Sequence, residues 1–225
     1  MECQSIIEKL KTISDPKTLE GMSRYGIKTD KAFGVSIPKI RLLAKEIEKD
    51  HNLALELWKS GFHETRFLAS MIDDPKKLTN EQMENWAKDF DSWDVCDQVC
   101  NNLFGKSPLA FGKAFEWSKR DEEFVKRAGY VLMAVLAVHD KTRADEDLFK
   151  FMPVIFNGST DERIYVKKAV NWALRQIGKR NLILHKKAIE YALDIQKIDS
   201  KSAKWIASDA LRELHNPKIL ERIKK

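Results

Sequence analysis

Residues that break helices are scarce in this chain, which has nine glycines and six prolines among 225 residues. Long windows instead carry apolar residues at spacings of three and four, which is the period of one face of an α-helix. The clearest are SIPKIRLLAKEIEKD, EEFVKRAGYVLMAVLAVHD and RIYVKKAVNWALRQIGKR. Because there is little sign of strand, the sequence predicts an all-α fold of helices joined by short turns.

The first of these windows also shows how a helix should begin. Ser36 is the predicted N-cap, and Pro38 falls in the first turn, where its missing N–H costs nothing. The predicted buried stripe of this helix consists of Ile40, Leu43, Ala44 and Ile47.

Cysteine is rare and odd in number, at three residues. Cys96 and Cys100 are four residues apart on one predicted helix rather than in a ligand turn, and the five histidines form no HExxH or paired spacing. We therefore expect free thiols and no metal site. No glycine-rich phosphate loop occurs either, so no cofactor is expected.

Long hydrophobic runs are missing as well. No stretch approaches the roughly 18 apolar residues of a membrane-spanning helix, and the start MECQSIIEKL lacks the apolar core of a signal peptide. Hydrophobic residues make up 43% and charged residues 33%, a globular mixture. We expect a cytoplasmic monomer without a membrane partner, folded as one domain over residues 1–225.

Positive charge is present but uneven. Residues 1–120 contain 19 Lys and Arg against 19 Asp and Glu, whereas residues 121–225 contain 21 against 15, so the second half carries the whole net charge of +6. The excess favours a polyanionic partner. A solvated lysine-rich surface is the simpler alternative.

Short internal repeats suggest the architecture. FVKRAGY from Phe124 matches YVKKAVN from Tyr165, 41 residues later, and NWALRQ from Asn171 matches SDALRE from Ser208, 37 residues later. Paired helices with a period of about 40 are typical of HEAT-like helical repeats, which stack into a curved α-solenoid with a concave groove. Chance similarity between amphipathic helices is the alternative.

The repeats place basic residues at equivalent points. Stacked units would align these cations along one side as a groove for a phosphate backbone, although lysine and arginine also coat ordinary solvent faces. The predicted DNA-binding cations are Lys126, Arg127, Lys167, Lys168 and Lys204 at the starts of units, with Arg175 and Arg212 two turns later.

Two of the six tryptophans have polar neighbours. Trp93 lies one turn before Asp97, and Trp172 precedes Arg175 by three residues, which puts indole and guanidinium on one helix face. An aromatic ring beside a cation suits a nucleobase or sugar. The other four tryptophans are expected to fill the core: Trp58, Trp86, Trp117 and Trp205.

The ordered set SWDVCDQVC, FVKRAGY and VKKAVNWALR resembles the AlkD-like DNA alkylation repair family, HEAT-like repeat DNA glycosylases with the pattern W-D-x-x-D, a basic pair and W-x-x-R. The upstream segment RYGIKTDKAFGVSIPKIRLLAKEI is similar to the N-terminal region of that family. The similarity runs from about Tyr25 to SDALREL, which is most of the chain.

This resemblance assigns site residues. It implies that Asp97 is the catalytic carboxylate, with Trp93 beside it, and that Arg127 contacts the lesion, although a slip of one residue would exchange Arg127 with Lys126. It also implies that Trp172 and Arg175 are the later aromatic and DNA-contacting cation, and that Tyr25 is the N-terminal aromatic. The thiols around Asp97 and the lysine at position 126 depart from the family pattern.

The implied chemistry is simple. An N3- or N7-alkylated purine already carries positive charge, so its glycosidic bond breaks without a general acid. A fixed carboxylate can stabilise the oxocarbenium-like sugar and orient water. The resemblance further implies that damage is recognised from the backbone, without drawing the base into a pocket.

We therefore expect an alkylpurine DNA glycosylase acting on double-stranded DNA that contains alkylated purines. The competing hypothesis is a noncatalytic HEAT-like module that binds nucleic acid or protein.

Overall fold

A computed structural model of the chain describes residues 2–223, and all regular secondary structure in that range is helical. The predicted all-α fold is thereby confirmed. By their internal contacts the residues fall into two compact units, 1–107 and 108–225. The expectation that the chain folds as one domain stays a prediction.

The first unit is built around one central helix. Its helices are α1 (Cys3–Thr12), α2 (Pro16–Arg24), α3 (Ile37–Ile47), α4 (His51–Ser60), α5 (His63–Ile72), α6 (Asn80–Lys88) and α7 (Trp93–Asn102), followed by a 3-10 turn at Phe104–Lys106. Helix α5 packs against α3, α4 and α7. Trp58 and Trp86 stack in the core with ring centroids 4.0 Å apart, and both are buried as predicted.

Helix α3 begins where its sequence predicts, with Ser36 at the N-cap and Pro38 in the first turn. The Ser36 side chain makes no capping hydrogen bond, however. Ile40 and Leu43 are buried, while Ala44 and Ile47 are only partly covered. The predicted stripe is therefore right in direction but narrower than expected.

The second unit contains two helices of central importance, α9 and α12. Its helices are α8 (Ala110–Trp117), α9 (Glu123–His139), α10 (Asp145–Phe149), α11 (Met152–Gly158), α12 (Ile164–Gly178), α13 (Leu182–Gln196), α14 (Lys201–Leu214) and α15 (Pro217–Ile223). Helix α9 packs against α8 and α12, and α12 also packs against α13 and α14.

Helix α9 is buried along most of its length, which explains its almost unbroken apolar sequence. Gly129 allows a close approach to the end of α8, because a Cβ atom at this position would lie 2.5 Å from the backbone nitrogen of Ser118. Trp117 is fully buried as predicted. Tyr130 is buried as well, and burial raises the pKa of its phenol.

The repeats found in the sequence correspond to neighbouring helices. Phe124 on α9 and Tyr165 on α12 are equivalent in the first match, and their rings lie 5.4 Å apart. Asn171 on α12 donates to Asp209 Oδ2 on α14 at 2.6 Å, across the second pair of matched helices. The prediction that equivalent helices stack is confirmed for α9, α12 and α14.

Candidate functional site

The first candidate site lies on helix α7. Val95, Cys96, Val99 and Cys100 form its buried face, and neither cysteine forms a disulfide. Asp97 lies off this face and is partly exposed. The thiols next to Asp97 in the sequence thus belong to the core, whereas the carboxylate does not.

Trp93 begins α7 and is fixed by a hydrogen bond rather than by burial. It is partly exposed, and its indole Nε1 donates to the backbone oxygen of Tyr25 at 3.1 Å. Tyr25 follows the last residue of α2, and its residue surface is 71% exposed. Of the predicted site residues in the first unit, Trp93, Asp97 and Tyr25, the fold thus brings Trp93 and Tyr25 into direct contact.

Asp94, the first acid of the SWDVCD segment, has a different role. Its Oδ2 lies 2.9 Å from Nε2 of His63, the first residue of α5, and both side chains are largely buried. Its Oδ1 accepts from the backbone nitrogen of Val95. Asp94 therefore joins the N-termini of α5 and α7, as expected for an acid that pairs within the fold.

Glu64 is a buried carboxylate that sequence reasoning missed. It is fully buried, and its oxygens accept from the backbone nitrogens of Phe33 (2.9 Å), Gly34 (2.7 Å) and Val35 (3.1 Å). Gly34 has a φ of 76°, which favours glycine. Glu64 thus holds the loop between α2 and α3, the loop that starts at Tyr25.

In the second unit, the two basic residues predicted as alternatives for contacting the lesion, Arg127 and Lys126, join helices. Arg127 is 5% exposed, and its Nη1 donates to the backbone oxygen of Tyr165 at 2.5 Å. Lys126 forms an ion pair with Asp161 at 3.1 Å and keeps one fifth of its side chain exposed. Both bonds tie α9 to the start of α12. In this arrangement Lys126 has the more accessible side chain of the two.

Trp172 and Arg175 lie on α12, and both are partly exposed. The Gln176 side-chain amide is oriented so that its oxygen faces donors and its nitrogen faces acceptors, and in this orientation Trp172 Nε1 donates to Gln176 Oε1 at 2.9 Å. The Arg175 guanidinium is ion-paired with Glu213 and lies 3.8 Å from an Asp209 oxygen. Burial would raise the pKa of Glu213, but Lys179 and Arg175 beside it lower that pKa overall.

The remaining predicted DNA-binding cations differ in their surroundings. Lys204 pairs with Asp199 at 2.7 Å, and Arg212 pairs with Asp209. Lys168 is exposed and has no ion pair with any residue in the range 2–223. The row of cations is therefore less positive than the sequence alone suggests.

The prediction that Trp205 fills the core is wrong. Trp205 is 41% exposed, and Lys167 Nζ lies 5.3 Å from the centroid of its ring. The buried face of α14 consists of Ser202, Ala203, Ile206, Ala207, Ala210 and Leu214. Trp205 falls between these positions, so helical spacing could have found this aromatic–cation pair.

Comparison with known proteins identifies the family. A model of the family described as "DNA alkylation repair enzyme" matches residues 6–214. The chain belongs to this family. Two relatives of this family member are uncharacterized proteins of Listeria, Lin0241 of Listeria innocua and Lmo0209 of Listeria monocytogenes. Each is 22% identical over 194 residues, with 84% of both chains covered.

A solved structure supports the fold of this DNA alkylation repair family member. It is described as "a new family of proteins related to the HEAT-like repeat DNA glycosylases with affinity for branched DNA structures". The similarity covers 95% of each chain with a TM-score of 0.79 and 19% identity. The predicted HEAT-like helical fold is confirmed.

Among residues 2–223, no group of three or more His, Cys, Asp or Glu side chains is arranged to hold a metal ion. In the same range no helix has the length and apolar character needed to cross a membrane.

Proposed function

We propose that the chain is a DNA glycosylase that hydrolyses the N-glycosidic bond of positively charged N3- or N7-alkylated purines in duplex DNA, as a step of base excision repair. The observation that carries this proposal is the placement of Asp97. It shares helix α7 with Trp93 one turn earlier, lies off the buried face, and is partly exposed. Membership of the DNA alkylation repair family supports the same reaction class.

The reaction requires one carboxylate. The C–N bond breaks with its electron pair passing to the purine, which neutralises the positive charge of the base. Asp97 stabilises the oxocarbenium-like sugar left behind and orients a water molecule toward the anomeric carbon. The water oxygen forms the new bond, and its proton passes to Asp97 and then to solvent. The products are the neutral alkylated base and an abasic site.

Aromatic side chains hold the sugar next to that carboxylate. The indole of Trp93 offers its π-face to the developing cation, an interaction of about 0.5–2 kcal/mol depending on solvation. Its hydrogen bond to the Tyr25 oxygen fixes the ring, so little motion has to be frozen when DNA binds. Tyr25, with most of its surface exposed, contributes a second aromatic face.

The second unit supplies contacts to the DNA backbone. Lys168, which is exposed, binds phosphate directly, and Lys167 with Trp205 offers a cation and a flat ring together. Arg175, Lys204 and Arg212 contribute by exchanging a carboxylate for a phosphate oxygen. Trp172, which is partly exposed on the same helix as Lys168, adds a flat ring to these backbone contacts. Lys126, and Arg127 beside it, set the position of α12.

The test is release of free base. Duplex DNA containing one 7-methylguanine is incubated with wild type, with Asp97→Asn and with Glu81→Gln, which removes an exposed acid from α6 as a matched control. We expect release by wild type and Glu81→Gln, and a loss of about 100-fold or more in Asp97→Asn, which is typical when one electrostatic contact to a transition state is removed. Equal release by Asp97→Asn would refute the role of this carboxylate.

The second candidate function is noncatalytic binding of branched DNA. It is suggested by the solved structure, whose description names affinity for branched DNA. In that case wild type and Asp97→Asn release no base. Both also bind a four-way junction more tightly than a linear duplex of equal length and composition. The affinities for the junction and for the linear duplex are measured in the same salt, because backbone binding depends steeply on salt. Release of free base then separates the two functions.

A further inference from the structure

A cavity of about 270 Å³ opens in the first unit, beside the start of α5. Its wall includes Lys28 and Lys31 from the loop between α2 and α3, and Arg66 and His63 from α5. Two acids also line it, Asp30 and Asp91. None of these side chains has a part in the chemistry proposed for Asp97.

The two lysines are exposed and available to a ligand. Neither Lys28 nor Lys31 makes a side-chain hydrogen bond or an ion pair with any residue between 2 and 223. Asp91, by contrast, is already engaged, because its Oδ1 accepts from Arg66 Nη1 at 3.1 Å. The carboxylate that remains is Asp30, so the cavity keeps an excess of positive charge.

Polar atoms near the cavity also lack partners within the protein. Arg66 has a side chain that is 14% exposed, and its Nε is buried with no hydrogen-bond acceptor. Ser92, which follows Asp91, has a buried Oγ without a partner as well. The protein therefore leaves part of the hydrogen-bonding capacity of Arg66, a residue of the cavity wall, unused.

The backbone around the cavity is organised in advance. Glu64 fixes the loop through three backbone nitrogens, and the backbone nitrogen of His63 donates to the oxygen of Lys31 at 2.8 Å. Helix α5 begins at His63 without a side-chain cap. The positive end of the α5 dipole therefore adds to the attraction for an anion.

The cavity lies next to the proposed catalytic residues. Asp91 precedes Trp93 by two residues, and Lys28 follows Tyr25 by three, while Trp93 and Tyr25 are joined by a hydrogen bond. We propose that this cavity binds one phosphodiester group of the DNA strand whose sugar packs against Trp93, with Lys28, Lys31 and Arg66 as its cationic ligands. The proposal rests on the DNA-binding function proposed above.

The first test uses inorganic phosphate as the probe. Wild type, Lys28→Gln/Lys31→Gln and the matched control Lys17→Gln/Lys59→Gln are titrated with phosphate at constant ionic strength and pH, and backbone amides are followed by NMR. The control removes two exposed lysines of the same unit that do not line the cavity. We expect saturable shifts of the amides of residues 31, 64 and 65 in wild type and control. In Lys28→Gln/Lys31→Gln the affinity for phosphate obtained from these shifts should be at least fivefold weaker. Absent shifts, or equal shifts in all three proteins, overturn the proposal.

The second test identifies the source of the phosphate. An undamaged 12-base-pair duplex should shift the same amides, and the slope of log affinity against log salt should fall by about one in Lys28→Gln/Lys31→Gln relative to the control. If a nucleoside 5′-monophosphate shifts these amides but duplex does not, the site serves a small phosphorylated molecule and the backbone proposal fails.

The outcomes stay separate from those of the glycosylase test. If wild type binds phosphate as expected but releases no 7-methylguanine, only the glycosylase function is refuted. If wild type releases 7-methylguanine and Lys28→Gln/Lys31→Gln binds phosphate as its control does, only the phosphate site is refuted.

Discussion

At the scale of single residues, the buried carboxylate of Glu64 should contribute strongly to stability. We expect Glu64→Gln to lower the free energy of unfolding by about 2–3 kcal/mol, because hydrogen bonds to a charged group are lost and an amide N–H₂ is directed at backbone donors. Urea denaturation followed by circular dichroism measures the change. Glu56→Gln, at an exposed position of α4, should stay within about 0.5 kcal/mol of wild type. A similarly small effect at Glu64 would show that the three hydrogen bonds contribute little.

Spacing along a helix predicts individual side chains well when a single helix decides their environment. The separation of Asp97 from Cys96 and Cys100 is of this kind, since the buried positions of α7 follow the helical period. Glu64 is different because its partners lie at residues 33–35, about 30 positions earlier in an irregular loop. No periodic pattern in the sequence marks such a contact. The same holds for the hydrogen bond from Trp93 to Tyr25, 68 residues apart.

At the scale of elements, Asp161 joins the start of α12 to α9. Burial would raise its pKa, but hydrogen bonds from Arg163 and Lys126 outweigh burial and lower the pKa from 3.8 to about 2. Because the folded pKa lies below the unfolded one, ionised Asp161 stabilises the fold above about pH 4. That contribution is lost as the pH falls from about 4 to 2.

We expect Asp161→Asn to remove this part of the acid sensitivity. The difference in unfolding free energy between wild type and Asp161→Asn should shrink by about 2 kcal/mol between pH 7 and pH 2. Urea denaturation at a series of pH values measures it. Glu221→Gln, at an exposed position on α15, should give a difference that does not change with pH. A constant difference for Asp161→Asn would contradict the assignment.

Long helices were predictable and short ones were not. The windows that predict α3, α9 and α12 each carry several turns of apolar periodicity. Helices α10 and α11 have five and seven residues, too few for a period to be visible. A serine at a helix start does not by itself predict a capping hydrogen bond. The Ser200 side chain caps α14, whereas Ser36 occupies the N-cap of α3 without a side-chain hydrogen bond.

At the scale of the whole molecule, positive charge is concentrated in one unit. Residues 1–107 carry 16 Lys and Arg against 18 Asp and Glu, and residues 108–225 carry 24 against 16. Long-range attraction to a polyanion therefore comes from the second unit. The first unit contributes local groups, the Asp97 carboxylate and the lysines near the loop, rather than net charge.

This division predicts which cations control the salt dependence of DNA binding. Lys168 is exposed and has no ion pair in the described chain, whereas Arg212 is paired with Asp209. We expect Lys168→Gln to lower the slope of log affinity against log salt by about one, and Arg212→Gln to lower it less because its charge is already partly neutralised. Fluorescence anisotropy with a labelled duplex, measured from low to high salt, gives both slopes. Since each variant removes one positive charge, equal slopes would mean that net charge alone, and not the pairing of each cation, governs binding.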